Sequence, residues 1–171
     1  MTESENAGSS DPTPQALVDG LTRLLTVSPQ GNDRFIGKRQ PGGVGRVFGG
    51  EVIAQALMAA TAAVEPDRLA HSLHAYFLRG GCEESDITYR VERDFDGGSF
   101  SARRVIAEQD GRPILNLAAS FHKLEPGVAH QDAMPDVPAP EDLPGEAELR
   151  RAVIDQIPER FRRQMMRPRA V

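Results

Sequence analysis

The chain has 171 residues, a net charge of −5 and 39% apolar side chains, enough for one modest core with appendages. A net negative chain lacks the basic face of a general nucleic-acid binder, and no run of 18 apolar residues offers a membrane span. The single cysteine, Cys82, excludes an internal disulfide and any cysteine-based metal cluster.

Residues 1–13 are rich in Ser, Glu, Asn and Gly and read as a disordered leader. They have no basic n-region and no apolar h-region, so they are not a secretory signal, and the cytoplasm is the expected compartment. Over residues 14–27, Leu17, Val18, Leu21, Leu24 and Leu25 fall on one helical face. Thr13 suits the cap and Pro14 the first turn. Arg34 to Arg39 reads as a short strand ended by Pro41-Gly42-Gly43.

Val47 to Val64 is Ala-rich and apolar over most of its circumference, so it predicts a helix buried nearly all round. Pro66 and Asp67 stop it. The period then changes to two. Strands are expected over Leu69 to Arg79, Asp86 to Phe95, Ser99 to Glu108 and Pro113 to Lys123. In the second of these, Ile87, Tyr89, Val91 and Phe95 share the core face. Asp96-Gly97-Gly98 and Asp110-Gly111 are turns, so the last three strands run antiparallel in sequence order.

One long buried helix and strands that are apolar on one face satisfy each other when an antiparallel sheet wraps the helix. The expected class is therefore α+β, a hotdog domain over residues 14–124. From Glu125 onward the prolines 126, 135, 138, 140 and 144 break regular structure. Residues 125–171 read as a Pro-rich linker with a short helix over Glu146 to Ile157 and an arginine-rich tail with no closing element. The arginines read as a solvated helix face, or as a basic surface for an acidic partner or for phosphates. A linker that leads to no further element suggests a truncated chain.

Three stretches carry a family resemblance: Arg46-Val47-Phe48-Gly49-Gly50-Glu51-Val52-Ile53-Ala54-Gln55-Ala56-Leu57, Ala70-His71-Ser72-Leu73-His74-Ala75-Tyr76-Phe77-Leu78-Arg79, and Asp96-Gly97-Gly98-Ser99-Phe100-Ser101-Ala102-Arg103-Arg104-Val105. With Ala119-Ser120-Phe121-His122 they resemble the N-terminal half of the TesB-type (type II) acyl-CoA thioesterases. The resemblance implies two hotdogs per enzyme, an acyl-CoA substrate, and hydrolysis to fatty acid and CoA without a cofactor or metal. It implies that the family's catalytic Asp, Ser/Thr and Gln lie in the second hotdog, which no segment here matches. It also implies a partner, either a second copy in a homo-oligomer or a separate second hotdog domain.

Candidates on this chain are few. Gly49 and Gly50 open the central helix, where free N–H groups could bind an oxyanion or the glycines could serve close packing. Glu51, in the first helical turn, is a candidate base or nucleophile, or complements the helix dipole. Gln55, one turn on, could orient a water or satisfy buried backbone. His71 is a candidate general base. Its spacing of three from His74 predicts opposite faces of the strand, with one of the two facing the core. Arg103 and Arg104 face opposite ways; Arg104 is a candidate for substrate phosphates, or a member of a surface ion pair.

Overall fold

The computed structural model describes residues 13–38 and 45–166, and the chain divides into two compact units after Pro126. The leader 1–12, the proposed stop at Pro41-Gly42-Gly43 and the end of the basic tail lie outside the described residues. The first unit begins with α1 (Pro14–Leu25), whose N-cap Thr13 accepts a hydrogen bond from the Ala16 N–H. Then come β1 (Val27–Gly31), β2 (Arg34–Gly37), α2 (Gly49–Thr61), β3 (Arg68–Phe77), β4 (Ile87–Asp96), β5 (Phe100–Gln109) and β6 (Arg112–Lys123).

The six strands form one antiparallel sheet in the order β1-β2-β4-β5-β6-β3. The tight turns obey turn chemistry: Asn32 and Asp33 join β1 to β2, and Asp110-Gly111 joins β5 to β6, all with positive φ. Helix α2 lies across β4, β5 and β6. Its Val52, Ala56, Ala59 and Ala60 meet Ile87, Tyr89, Val105, Leu115, Leu117 and Phe121 in the core. The alanines let the helix approach the sheet closely, so the strands supply the bulk. Fully burying each large strand side chain stabilises the fold by ~1.5–3 kcal/mol.

Four expectations are corrected. Helix α2 is buried along one face only, with Met58 and Thr61 exposed, because a single sheet covers one side of it. Strand β1 was hidden in a stretch holding Ser28, Pro29 and Gln30, and it forms an edge of the sheet, where a proline is tolerated. Phe95 is not in the core but 57% exposed. The register of β4 against β5 slips between Arg93 and Phe95, so Phe95 pairs with Ala102 and Asp96 with the buried Ser101. One inserted residue turns every later side chain to the other face.

The fourth correction concerns the histidines. The β3–β6 register also slips, between Ala70 and Ser72. This bulge brings His71 to the face that carries His74, so both lie on the sheet face away from α2 and both are exposed.

The second unit holds a 3-10 turn at Pro140–Asp142, then α3 (Glu146–Val153), a 3-10 turn at Ile154–Gln156 and α4 (Glu159–Met165). Helix α4 was not expected from the sequence. Two arginines of the basic stretch act inside this unit. Arg150 pairs with Glu146 at 2.6 Å and donates to the Met165 carbonyl, and Arg162 donates to the Ile157 carbonyl.

Candidate functional site

Helix α2 starts at Phe48, an N-cap in extended conformation that makes no side-chain cap hydrogen bond. The Glu51 and Val52 N–H groups donate back to the Phe48 carbonyl. The two glycines are crowded. A Cβ on Gly49 would meet the Phe77 ring at 2.8 Å, and one on Gly50 would run into the Phe48 ring. Close approach of two aromatic rings therefore accounts for Gly49 and Gly50 as packing residues.

Glu51 is only 8% exposed, and its Oε1 has no hydrogen-bond partner. Burial, and secondarily the charge of Glu83, hold its carboxyl above the usual carboxylate range. Gln55 is fully buried and committed. Its amide nitrogen donates to the carbonyls of Leu24 (2.6 Å) and Lys38 (3.3 Å), while its oxygen accepts from the Tyr89 hydroxyl at 2.8 Å. Both amide hydrogens thus hold the ends of α1 and β2, and none is left to orient a water. Burial pushes the Tyr89 phenol far above its ordinary value, with the charge of Glu51 adding to the effect.

The other candidates lie elsewhere. His71 Nε2 is 2.8 Å from Ser120 Oγ, and its ring stands edge-on to His122 and Phe100. All of this is on the sheet face opposite α2, so His71 does not share a site with Glu51 and Gln55. Arg104 is on that outer face too, paired with Glu92 at 2.6 Å and Asp94 at 3.1 Å. Its guanidinium is already neutralised. Among the described residues no group of three or more His, Cys, Asp or Glu is placed to hold a metal.

Of the two adjacent arginines that the sequence places on opposite faces of a strand, Arg103 is the inward one. It is 1% exposed and lies at the C-terminal end of α2. It donates to the carbonyls of Ala63, Phe95 and Ala102 and to the Asp96 carboxylate at 2.6 Å. The hydrogen bonds from Arg103 and then Ser101 hold the Asp96 carboxyl below its ordinary range. A cation at a helix C-terminus complements the dipole. Arg68 adds a second tie, donating to Ser101 Oγ and the Gly97 carbonyl. The signal that could have found it is the alternation Arg103, Val105, Ala107, which puts Arg103 on the apolar face of β5.

A cavity of about 420 Å³ opens beside the start of α2, walled by Val47, Val52, Phe77 and Ile114, with Arg46 and Arg79 also lining it. The floor is held by backbone bonds: Val47 N–H to the Gly81 carbonyl, and Leu78 N–H to the Ile114 carbonyl. Gln109 fixes the adjoining loop, accepting from Cys82 N–H and donating to the Cys82 and Ser85 carbonyls.

Comparison with known proteins identifies the same region. Residues 38–122 match the model of the acyl-CoA thioesterase N-terminal domain. Human acyl-coenzyme A thioesterase 8 is 43% identical over 124 residues, covering 72% of this chain and 39% of that protein. Acyl-CoA thioesterase 2 of Haemophilus influenzae is 41% identical over 143 residues, covering 84% of this chain and 50% of the relative. The chain thus spans half or less of the length of these relatives. The crystal structure of acyl-CoA thioesterase II TesB2 from Mycobacterium marinum superposes with a TM-score of 0.66 at 42% identity, covering 73% of this chain and 47% of that one. A hotdog-fold protein from Alicyclobacillus acidocaldarius superposes with a TM-score of 0.60 at 25% identity, covering 73% and 48%. The chain belongs to the TesB-type acyl-CoA thioesterase family and corresponds to its N-terminal hotdog domain.

Proposed function

We propose that this chain is the N-terminal hotdog of a fatty acyl-CoA thioesterase, which adds water across the thioester to release the fatty acid and CoA. The observation that carries this is the identity of 41–43% to proteins named acyl-CoA thioesterases, running through the central helix and the strands around it. The groups that activate the water are supplied by a second hotdog. Supporting that division, Gln55 is spent on Leu24, Lys38 and Tyr89, and His71 lies behind the sheet. Glu51 remains, a buried carboxylate with an unpartnered oxygen, in surroundings that favour its neutral form.

A partner is expected on physical grounds. β3 is an edge of the sheet with ten residues, and a long open edge invites pairing. Leu73 pairs with the buried Ala119, so it points to the helix side, yet it is 44% exposed. Leu17, Val18 and Leu21 of α1 are exposed as well. A second hotdog, from another copy or a separate domain, would cover such surface. The compartment consistent with this reading is the cytoplasm, with a role in fatty acid metabolism. No described helix is long and apolar enough to cross a membrane.

The function is tested with the purified chain, tracking thiol release from medium- and long-chain acyl-CoA with an Ellman reagent while light scattering reports its mass. Thioester cleavage by an oligomer, slow when the chain is alone, is expected. A stable monomer at micromolar concentration that neither binds nor cleaves acyl-CoA would refute the reading.

A further inference from the structure

Four arginines in the hotdog unit are paired with carboxylates. Arg93 is paired with Asp33, Arg90 with Glu92, Arg104 with Glu92 and Asp94, and Arg103 with Asp96. Arg46 and Arg79 are not among them, and of the arginines without a carboxylate they are the two that share a cavity. Among the described residues neither has a carboxylate within ion-pair distance, and both line the same cavity. No acidic side chain lines that cavity among the described residues.

The pair is also preorganised. Arg79 donates one N–H to the Pro113 carbonyl at 2.8 Å, which fixes its guanidinium and leaves its other donors free. The side chain of Arg46 lies across Gly80, with Cδ, Nε and Cζ each 3.9 Å from the position a Cβ would take there. The two backbone segments that carry these arginines are tied through Val47 N–H to the Gly81 carbonyl at 3.1 Å. Two guanidinium groups lining one cavity suit phosphate oxygens, which each can meet with several donors. The other side chains that line the cavity are apolar and include Phe77, whose ring offers a surface for a flat heterocycle. The volume is in the range of small-molecule pockets, ~300–1,000 Å³.

We propose that this cavity binds the nucleotide end of the thioester substrate. Arg46 and Arg79 hold its phosphates, and Phe77, Val47 and Ile114 receive the adenine. The assignment rests on the acyl-CoA reading above and adds a division of labour to it. With the nucleotide beside α2 of this domain, the long flexible pantetheine arm carries the thioester away from Glu51 toward the groups of the second hotdog. It also moves the anion-binding role from Arg104, which is neutralised on the outer face, to a pair of arginines that line a pocket.

The probe is adenosine 3′,5′-bisphosphate, the nucleotide end of CoA without its arm, titrated calorimetrically into the full chain. Binding that weakens with added salt is expected. Loss of both guanidinium groups in R46A/R79A should weaken it by about tenfold or more, R46K/R79K should recover part of the loss, and R104A should bind as the unaltered chain does. Both arginines are exposed, and circular dichroism verifies that the variants are folded. No binding by the unaltered chain, or equal binding by R46A/R79A, overturns the assignment. If acyl-CoA is bound equally well by R46A/R79A, the pocket is wrong and the thioesterase reading stands. If the bisphosphate binds through the two arginines while acyl-CoA is neither bound nor cleaved, the pocket stands and the thioesterase reading fails.

Discussion

Replacing Glu51 by glutamine separates the chemical from the structural role of that residue. The side chain is 8% exposed and its Oε1 meets no donor. Burial first, and the nearby Glu83 second, raise its pKa in the folded protein. Between the unfolded and folded values the native state therefore binds more protons than the unfolded chain. Its stability is complete below the ordinary carboxylate range and falls as pH rises through the folded value. Above the ordinary carboxylate range the native protein therefore carries a cost at this carboxyl, on the scale of one buried unsatisfied polar group, ~1–3 kcal/mol. Glutamine keeps the shape and removes the ionisation, so Glu51→Gln should stabilise by about 1 kcal/mol at pH 7. That corresponds to a melting shift of ~2–4 °C for a chain of this size. Thermal and urea unfolding from pH 4 to pH 8 measure it, and the gap should close as the pH falls into the carboxylate range. A variant that is less stable at neutral pH, or a gap that does not change with pH, would refute this reasoning. Thiol release should be unchanged by the substitution, whereas turnover that disappears with Glu51→Gln would place the chemistry on this hotdog after all.

Gln55→Leu removes the donors to Leu24 and Lys38 and the acceptor of the Tyr89 hydroxyl. With three buried groups left unsatisfied, a loss of about 3 kcal/mol is expected from urea unfolding. The neighbouring arginines of β5 should behave oppositely. Arg103→Met strands the Ala63 carbonyl and the Asp96 carboxylate and should cost about 3 kcal/mol, while Arg104→Ala on the surface should cost under ~1 kcal/mol. For light scattering, Leu73→Asp on β3 should shift the chain toward monomer if that edge pairs with a second hotdog.

Regular periodicity made much of the fold legible. The alternation of Ile87, Tyr89 and Val91 and the run of apolar helix formers over residues 52–60 specify strands and a helix that pack together, although the run overstated how much of the helix is buried. What escaped were single-residue insertions. Nothing local at His71 or Asp94 announces a bulge, because the slip is set by the register with β6 and with β5. Each slip reverses the face of the residues beyond it, which is why His71 and Phe95 were misplaced. Edge strand β1 escaped because its burial is slight and its residues are polar. At the candidate site, the spacing of Glu51 and Gln55 showed a carboxylate and an amide one turn apart at the start of α2. It could not show that Gln55 is consumed by Leu24, Lys38 and Tyr89, since two of those contacts come from distant segments. Nor could it bring Arg46 and Arg79 to one cavity, because that juxtaposition is made by the Val47–Gly81 backbone bond.

The most direct measurement is kcat/KM for a long-chain acyl-CoA, determined for this chain alone and for the Haemophilus influenzae relative, of which the chain covers 50%, under the same conditions. If the water-activating groups lie in a second hotdog, the chain alone should be slower by about a hundredfold or more, the scale of losing positioned acid–base groups, and Glu51→Ala and His71→Ala should leave its residual rate unchanged. A rate for this chain equal to that of the relative would contradict the central claim that the catalytic set lies off this domain.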